Sequence, residues 1–163
     1  MGDEATAGRI VVGVDGSDAA LEALRHAKRL AEALGCRIEA IACFEYPRPY
    51  DGYITLGLDY FKEHAQHTLG LAIKSVWGTE AVPIVDARAV HGNARIELVG
   101  ASEGAELLVL GRRGHGGFGG LLLGSVSSAC IGRARCPVLV VHTPERPPER
   151  DDAQGSDARG GNR

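Results

Sequence analysis

The sequence predicts an α/β domain, an open five-stranded parallel sheet with helices on both faces. Short apolar runs alternate with longer segments of helical periodicity along most of the chain. The runs are largely continuous in apolar character, as in parallel strands that are covered on both sides. Right-handed crossovers between such strands place the helices over both faces. The sequence also contains 23 glycines in 163 residues, well above the usual share of about 7%.

The first strand and helix are separated by a short polar turn. Arg9–Val14 is an apolar, β-branched run and is the first predicted strand. Asp15–Asp18 follows with turn and capping residues, among which Asp15 is a candidate helix cap. Gly35 ends the helix, in which apolar side chains recur at helical spacing: Leu21, Leu24, Ala27, Ala31 and Leu34.

A long loop is predicted between the second strand and the second helix. The strand is Cys36–Phe44, and the loop, Glu45–Gly57, contains prolines that oppose regular structure. Leu58–Trp77 is the second predicted helix, with one apolar face: Leu58, Phe61, Ala65, Leu69, Ala72 and Val76.

The second half continues the alternation through three further strands. Pro83–Val90 is the third predicted strand, and a turn capped by Asn93 leads into a helix over Ala94–Gly104, with Ile96 and Val99 facing inward. The remaining elements follow in order: a fourth strand at Leu107–Leu110, a glycine-rich loop at Gly111–Gly124, a fourth helix at Ser125–Ala134 capped by Ser125, and a fifth strand at Val138–Val141.

Composition restricts the possible partners and the cellular location. The chain has 21 acidic and 18 basic residues, a net charge of −3, so no basic field is available for nucleic acid. No apolar run reaches the length of a membrane span or a secretory leader, and we predict a cytoplasmic protein. The domain is expected over residues 9–142, between a flexible N-terminus, residues 1–8, and a disordered tail, residues 143–163.

Metal and redox chemistry are not predicted. His64 and His67 share a helix face, but no further ligand completes a metal set. The cysteines contain no C-x-x-C pair and are expected to be buried and unreactive: Cys36, Cys43, Cys130 and Cys136.

The glycine-rich loop predicts a phosphate-binding site. It leaves the carboxyl end of a strand and enters the N-terminus of a helix, where backbone N–H groups carry partial positive charge. Glycine lets a ligand approach the backbone closely. Ligands of open α/β sheets bind beyond the carboxyl ends of the strands, and the Asp15 turn follows another such end.

Two common phosphate motifs do not fit this loop. Gly114-x-Gly116-x-x-Gly119 has the dinucleotide spacing, but no helix begins there and no acidic residue follows about 20 residues later. Gly119-x4-Gly124-Ser125 resembles a P-loop, but Ser125 stands where that motif has its lysine. A nicotinamide cofactor and fast P-loop hydrolysis are therefore disfavoured.

The spacing Gly111-x2-Gly114-x9-Gly124-Ser125 resembles the nucleotide loop of ATP-binding universal stress proteins. The likeness extends over about Arg9 to His142 and includes the I-V-V-G-V-D-G-S, L-L-V-L-G-R-R-G and C-P-V-L-V-V stretches. It implies a Rossmann-like sheet of the adenine-nucleotide α-hydrolase type, in which the first and fourth strands are neighbours and the Asp15 turn faces the glycine loop.

The resemblance also implies the residues that contact the nucleotide. Val14 and Asp15 would contact the adenosine part, Ala42 would line the adenine pocket, and Gly92 would approach the ribose. The ribose and phosphates would be held by the loop: Gly111, Arg112, Gly114, Gly124, Ser125 and Val126. Arg112 and Arg113 are each as easily explained as solvated loop residues as phosphate ligands.

The expected ligand is ATP, with Mg²⁺ as a possible companion, and cyclic AMP is an alternative adenine nucleotide. The resemblance implies a homodimer through Val138–Val141 and a nucleotide-dependent role in a stress response with an unidentified protein partner. No positioned general base is identified, so at most slow ATP hydrolysis is expected. Two alternatives remain open: a nucleotide-using enzyme of the same fold, and a dimeric interaction protein that binds no nucleotide.

Overall fold

The computed structural model describes residues 8–46, 58–79, 84–114 and 122–143. Most of the predicted 45–57 loop, the middle of the glycine-rich loop, the predicted tail after Thr143 and all but Gly8 of the predicted N-terminal segment lie outside these residues. The elements in chain order are β1 Arg9–Gly13, α1 Asp18–Leu34, β2 Arg37–Phe44, α2 Leu58–Trp77, β3 Val85–His91, α3 Ala94–Ala101, β4 Leu107–Gly111, α4 Ser125–Arg133 and β5 Val138–Val141.

The five strands form one parallel sheet in the order β3-β2-β1-β4-β5. The predicted architecture is thereby confirmed, including the adjacency of β1 and β4. Ile10 of β1 is in register with Ile38 of β2 on one side and with Leu107 of β4 on the other. Because the strands are parallel, the turn after β1 and the segment after β4 leave the same edge of the sheet.

One face of the sheet is a continuous apolar core covered by α1 and α2. Alternate residues of the central strands point toward these helices, and Leu24 of α1 is fully buried there. Ser17 is the N-cap of helix α1, and its side chain accepts a hydrogen bond from the Ala20 N–H. Gly35, in the left-handed conformation, is the C-cap. This face supplies most of the buried apolar side chains among the described residues.

The opposite face is covered by the shorter helices α3 and α4 and has a smaller apolar cluster. Its fully or nearly fully buried residues are Val11, Ile41, Leu98, Leu108, Leu110 and Cys130. At the amino end of this face, the buried carboxylate of Glu39 pairs with Arg9 at 2.6 Å and with Arg88 at 2.9 Å. Polar pairing therefore replaces apolar packing at one end of this face.

Helix α3 differs from its predicted form in length and in orientation. It ends at Ala101 instead of Gly104, and Ser102 is its C-cap. The Ser102 hydroxyl donates to the Val99 carbonyl and accepts from the Arg135 N–H, which fixes the end of the helix. The prediction that Ile96 faces inward is wrong, because Ile96 is 70% exposed while Leu98 is 3% exposed.

Candidate functional site

A cavity of about 340 Å³ lies at the carboxyl edge of the sheet, on the side of α3 and α4. This volume is within the usual range for small-molecule sites, about 300–1,000 Å³. The cavity is bounded by the ends of β1, β2 and β4 and by the N-termini of three helices. Its lining is Gly13, Val14, Asp15, Ser17, Ala20, Ile41, Cys43, Ala94, Leu98, Leu110, Gly111, Arg113, Gly114, Leu123, Gly124, Ser125, Val126 and Ser127.

Asp15 forms the wall of the cavity after β1. Its Oδ1 accepts hydrogen bonds from the Ser17 N–H at 2.9 Å and from the Ser17 hydroxyl at 2.6 Å. The helix cap is Ser17, so the prediction that Asp15 is a candidate cap is wrong. Asp15 instead orients the residue that caps α1, and its exposed carboxylate borders the cavity.

The segment after β4 passes very close to the segment after β1. A Cβ on Gly111 would lie 2.7 Å from the backbone carbon of Ala19, at the start of α1. A Cβ on Gly114 would collide with the Asp15 Oδ2. Close approach to the α1 backbone therefore requires glycine at position 111, whereas a side chain at position 114 would displace the Asp15 carboxylate. The Asp15 turn faces the glycine loop, as the sequence resemblance implies.

The start of α4 forms the third wall. Gly124 is the N-cap and makes no side-chain capping bond, so the prediction that Ser125 is the cap is wrong. Ser125 is the first helical residue, because the first hydrogen bond of the helix runs from the Ser128 N–H to the Gly124 carbonyl. The N–H groups of residues 125–127 precede that bond and belong to the positive end of the helix dipole.

Backbone hydrogen bonds join this helix start to the 111–114 segment and to β5. The Arg112 N–H donates to the Val141 carbonyl and the Gly124 N–H donates to the Arg112 carbonyl, both at 2.8 Å. The buried Ser127 hydroxyl donates to the Gly111 carbonyl at 2.7 Å. The bonds from Gly124 and Ser127 hold the two ends of the glycine-rich loop together, and the bond from Arg112 anchors the loop to β5.

Most of the predicted contact residues line this one cavity: Val14, Asp15, Gly111, Gly114, Gly124, Ser125 and Val126. Ala42 does not, because its side chain points into the core under α1 and α2. Gly92 follows the edge strand β3, is separated from β1 by β2, and has a φ of +149° that favours glycine. Arg112 is outside the lining, whereas its neighbour Arg113 is part of it.

The sequence interpretation did not single out several lining residues. Ile41 and Cys43 flank Ala42 and face the cavity because side chains alternate along a strand. Leu98 and Leu110 form its apolar floor, and a Cβ on Gly13 would lie 2.8 Å from a Leu110 methyl group. Alternation from a known buried neighbour would have identified Ile41 and Cys43, but Leu98 requires knowledge of how α3 is oriented.

The cysteines in the described residues are free thiols. Burial, assisted by the nearby Glu97 carboxylate, raises the pKa of Cys43 to about 11. Burial also raises the pKa of Cys130 and of Cys136. These three thiols are protonated at neutral pH and are therefore weak nucleophiles.

The described part of the chain has neither a cluster of metal ligands nor a helix of membrane-spanning length. Its His, Cys, Asp and Glu side chains form no group of three or more that could hold a metal ion. No helix within it is long and apolar enough to cross a membrane.

Comparison with solved structures finds the same fold in universal stress proteins. The protein UspA from Lactobacillus plantarum matches with a TM-score of 0.70 and 25% identity, over 85% of this chain and 99% of that one. A universal stress protein solved in complex with cAMP matches with a TM-score of 0.64 and 28% identity, over 83% of this chain and 97% of that one.

Sequence comparison gives the same result. A universal stress protein of Methanocaldococcus jannaschii is 33% identical over 146 residues, which cover 85% of this chain and 84% of that protein. The model of the universal stress protein family matches residues 6–142, a range that includes the whole of the predicted 9–142 domain. The chain therefore belongs to the universal stress protein family.

Proposed function

We propose that this chain binds an adenine nucleotide, ATP in the first place, and acts as a nucleotide-dependent regulatory module in a stress response. The observation that carries the proposal is the cavity itself. It brings an acidic turn, Asp15, and a glycine-lined helix start, Gly124 and Ser125, into the lining of one site. A carboxylate suits the hydroxyl and amino donors of adenosine, and helix N–H groups suit phosphate.

The polarity of the walls gives the ligand a direction. In this proposal the adenosine part lies toward Val14, Asp15 and the apolar floor, and the phosphates lie toward the start of α4. Ile41 and Cys43 then contact the adenine base, in the role that the sequence resemblance gave to Ala42. Mg²⁺ would accompany the triphosphate through water and phosphate oxygens, since Mg²⁺ commonly keeps several waters and binds substrate phosphates.

Cyclic AMP is the alternative ligand with specific support. A universal stress protein that is 28% identical to this chain has been solved in complex with cAMP. The two nucleotides differ in the number and freedom of their phosphates, and they make different demands on the helix start. A direct comparison of their affinities under the same conditions distinguishes the two proposals.

We further propose that the protein is a cytoplasmic homodimer that pairs through β5. Strand β5 is at the edge of the described sheet, and Val138, Leu139 and Val140 are each partly exposed. An apolar edge strand is suited to pairing with a second copy of itself. Sedimentation velocity should show a dimer that Val140→Lys converts to a monomer; a monomer at all concentrations would contradict this proposal.

Calorimetric titration with ATP-Mg, ADP and cAMP tests the binding proposal. Gly114→Ala and Asp15→Ala should each weaken binding at least tenfold, because the first displaces the carboxylate and the second removes it. Gly132→Ala is the matched control, since a Cβ there meets no atom within 4 Å. Wild-type protein that is folded but releases no heat with any nucleotide would contradict the proposal.

Turnover is measured in the same preparations. We propose binding without efficient catalysis, so phosphate release from ATP should be no faster than in Gly124→Ala protein. A Cβ on Gly124 would meet Arg112 and Arg113 backbone atoms at 3.5 Å, an ordinary contact, so this variant keeps its fold. Release well above that control would show that the protein is an enzyme.

A further inference from the structure

A groove runs between α3 and α4 on their outer surface, and we call it the α3–α4 groove. Its lining includes Arg95, Ile96 and Val99 of α3 and Ser128, Gly132 and Arg133 of α4. Both helices lead from the carboxyl edge of the parallel sheet back to its amino edge, so they run in the same direction. Their N-termini are level, because Ala94 and Ser125 both border the cavity. The groove therefore follows two parallel helices for about 12 Å, the length of α3.

The walls of the α3–α4 groove are apolar on one side and low on the other. Ile96 is 70% exposed, although it is a large aliphatic side chain, and Val99 is partly buried nearly one turn later. On α4, Ser128 and Gly132 are four residues apart and share one face. A Cβ on Gly132 would meet no atom within 4 Å. This shape suits a third helix packed against α3 and α4.

The two cationic side chains of the α3–α4 groove have no partner among the residues that the structure describes. Neither Arg95 nor Arg133 takes part in the salt bridges or side-chain hydrogen bonds formed there. Arg133 is in the last turn of α4, where a cation is favourable, but Arg95 is in the first turn of α3, where the helix dipole disfavours it. No described residue of the lining is acidic. The groove thus has an unpaired positive charge near each end.

This pattern of charge and apolar surface disfavours two occupants from the chain itself. A second copy that paired its own groove with this one would bring arginines against arginines. Residues 144–163 contain no Ile, Leu, Val, Met or aromatic residue. That segment therefore has no large apolar side chain with which to cover Ile96.

We propose that the α3–α4 groove binds an amphipathic helix of a partner protein, with apolar side chains at its centre and a carboxylate near each end. The carboxylates pair with Arg95 and Arg133, and the apolar side chains cover Ile96 and Val99. The two arginines are about seven helical residues apart along the groove, roughly 10 Å. The matching pattern is therefore an acidic residue at i and i+7 and an apolar residue at i+3 and i+4. This surface is separate from the cavity, and the inference does not depend on nucleotide binding.

The test is a fluorescence anisotropy titration of a labelled synthetic helical peptide with the full-length protein, in the absence of nucleotide. The peptide has Glu at i and i+7 and Leu at i+3 and i+4, and a second peptide has Lys in place of Glu. Wild-type protein should bind the acidic peptide saturably and roughly tenfold more tightly than the lysine peptide. Arg95→Glu should weaken the acidic peptide by roughly tenfold and strengthen the lysine peptide, a reversal that loss of folding cannot produce.

Two glycine substitutions test the position of the peptide. Gly132→Leu places a side chain in the α3–α4 groove and should weaken the acidic peptide by more than roughly tenfold. Gly100→Leu is the matched control, because Gly100 is on α3 outside the lining and a Cβ there also meets no atom within 4 Å. Both changes replace a helical glycine with a better helix former, so both proteins should fold.

The inference is overturned if wild-type protein shows no saturable binding, binds both peptides equally, or responds equally to Gly132→Leu and Gly100→Leu. Binding that appears only after Glu149, Asp151 and Asp152 are changed to amides would assign the groove to the end of the chain instead of a partner. A change of oligomeric state in Gly132→Leu, measured by sedimentation velocity, would assign it to a second copy. None of these results bears on nucleotide binding, which the calorimetric titration tests separately.

Discussion

The two faces of the sheet differ in how completely they are filled. Under α1 and α2 lies the larger of the two sets of buried apolar side chains in the described residues. Under α3 and α4, a polar group around Glu39 occupies one end and a ligand-sized cavity occupies the other. Most of the apolar burial in the described residues is therefore on one face, and the candidate site is on the other.

The largest expected difference between the faces is in the cost of core truncation. Leu24→Ala on the filled face should reduce the free energy of unfolding by about 3 kcal/mol, because it opens a new cavity. Leu98→Ala should cost only about 2 kcal/mol, because it widens a cavity that already exists. Denaturant unfolding measures the free energy of unfolding of both variants. Equal reductions in the two would contradict the distinction between the faces.

The next largest effect concerns the glycines that border the cavity. Gly111→Ala should destabilise the protein by about 2 kcal/mol, because its Cβ would overlap the backbone at Ala19. Gly124→Ala should stay within about 0.5 kcal/mol of wild type, because its Cβ makes ordinary contacts. Thermal unfolding with near-ultraviolet circular dichroism compares them; a stable Gly111→Ala protein would show that α1 can move away.

The polar end of the less filled face can be tested separately from the cavity. Glu39→Gln should cost about 1–2 kcal/mol, since it weakens the pairing with Arg9 and Arg88, which are themselves partly exposed. Nucleotide affinity should be unchanged, because Glu39 is at the opposite edge of the sheet. A change of more than about threefold in affinity would show that the two ends of this face are coupled.

The smallest expected effect is that of Ser127. Ser127→Ala removes the hydrogen bond to the Gly111 carbonyl and should cost about 1 kcal/mol of stability. Nucleotide binding should weaken by a few-fold, because the start of α4 is less firmly held to the end of β4. Ser128→Ala, one residue along the same helix, is the control for a serine-to-alanine change. Identical behaviour of the two variants would exclude a role for the Ser127 bond.

The sequence predicted the elements well because their signals are local. Continuous apolar runs marked the strands, and Gly35 marked the end of α1. The orientation of α3 could not be predicted, because its eight residues carry apolar side chains on both faces: Ile96 is exposed, whereas Leu98 is buried. The length of a segment therefore limited the accuracy of its predicted orientation.

At two places in the candidate site, the residue predicted from the sequence is the direct neighbour of the residue that lines the cavity. Residues Ala40–Phe44 of β2 are apolar on both faces, so their apolar character alone does not distinguish Ala42, in the core, from Ile41 and Cys43, in the cavity. Arg112 and Arg113 are the same residue type side by side, and only the structure shows that Arg113, not Arg112, lines the cavity. Which of two neighbouring residues lines the cavity depends on tertiary contacts, and the local sequence does not show those contacts.

The backbone of residue 112 connects the cavity to the edge of the sheet. Its N–H is bonded to the last residue of β5, and its carbonyl is bonded to the cap of α4. Its amide and that of residue 124 are thus natural probes for amide exchange and for NMR chemical shifts. A ligand that displaces this segment stretches both bonds together, so occupancy of the cavity and the state of the β5 edge can be followed from two resonances in a single spectrum.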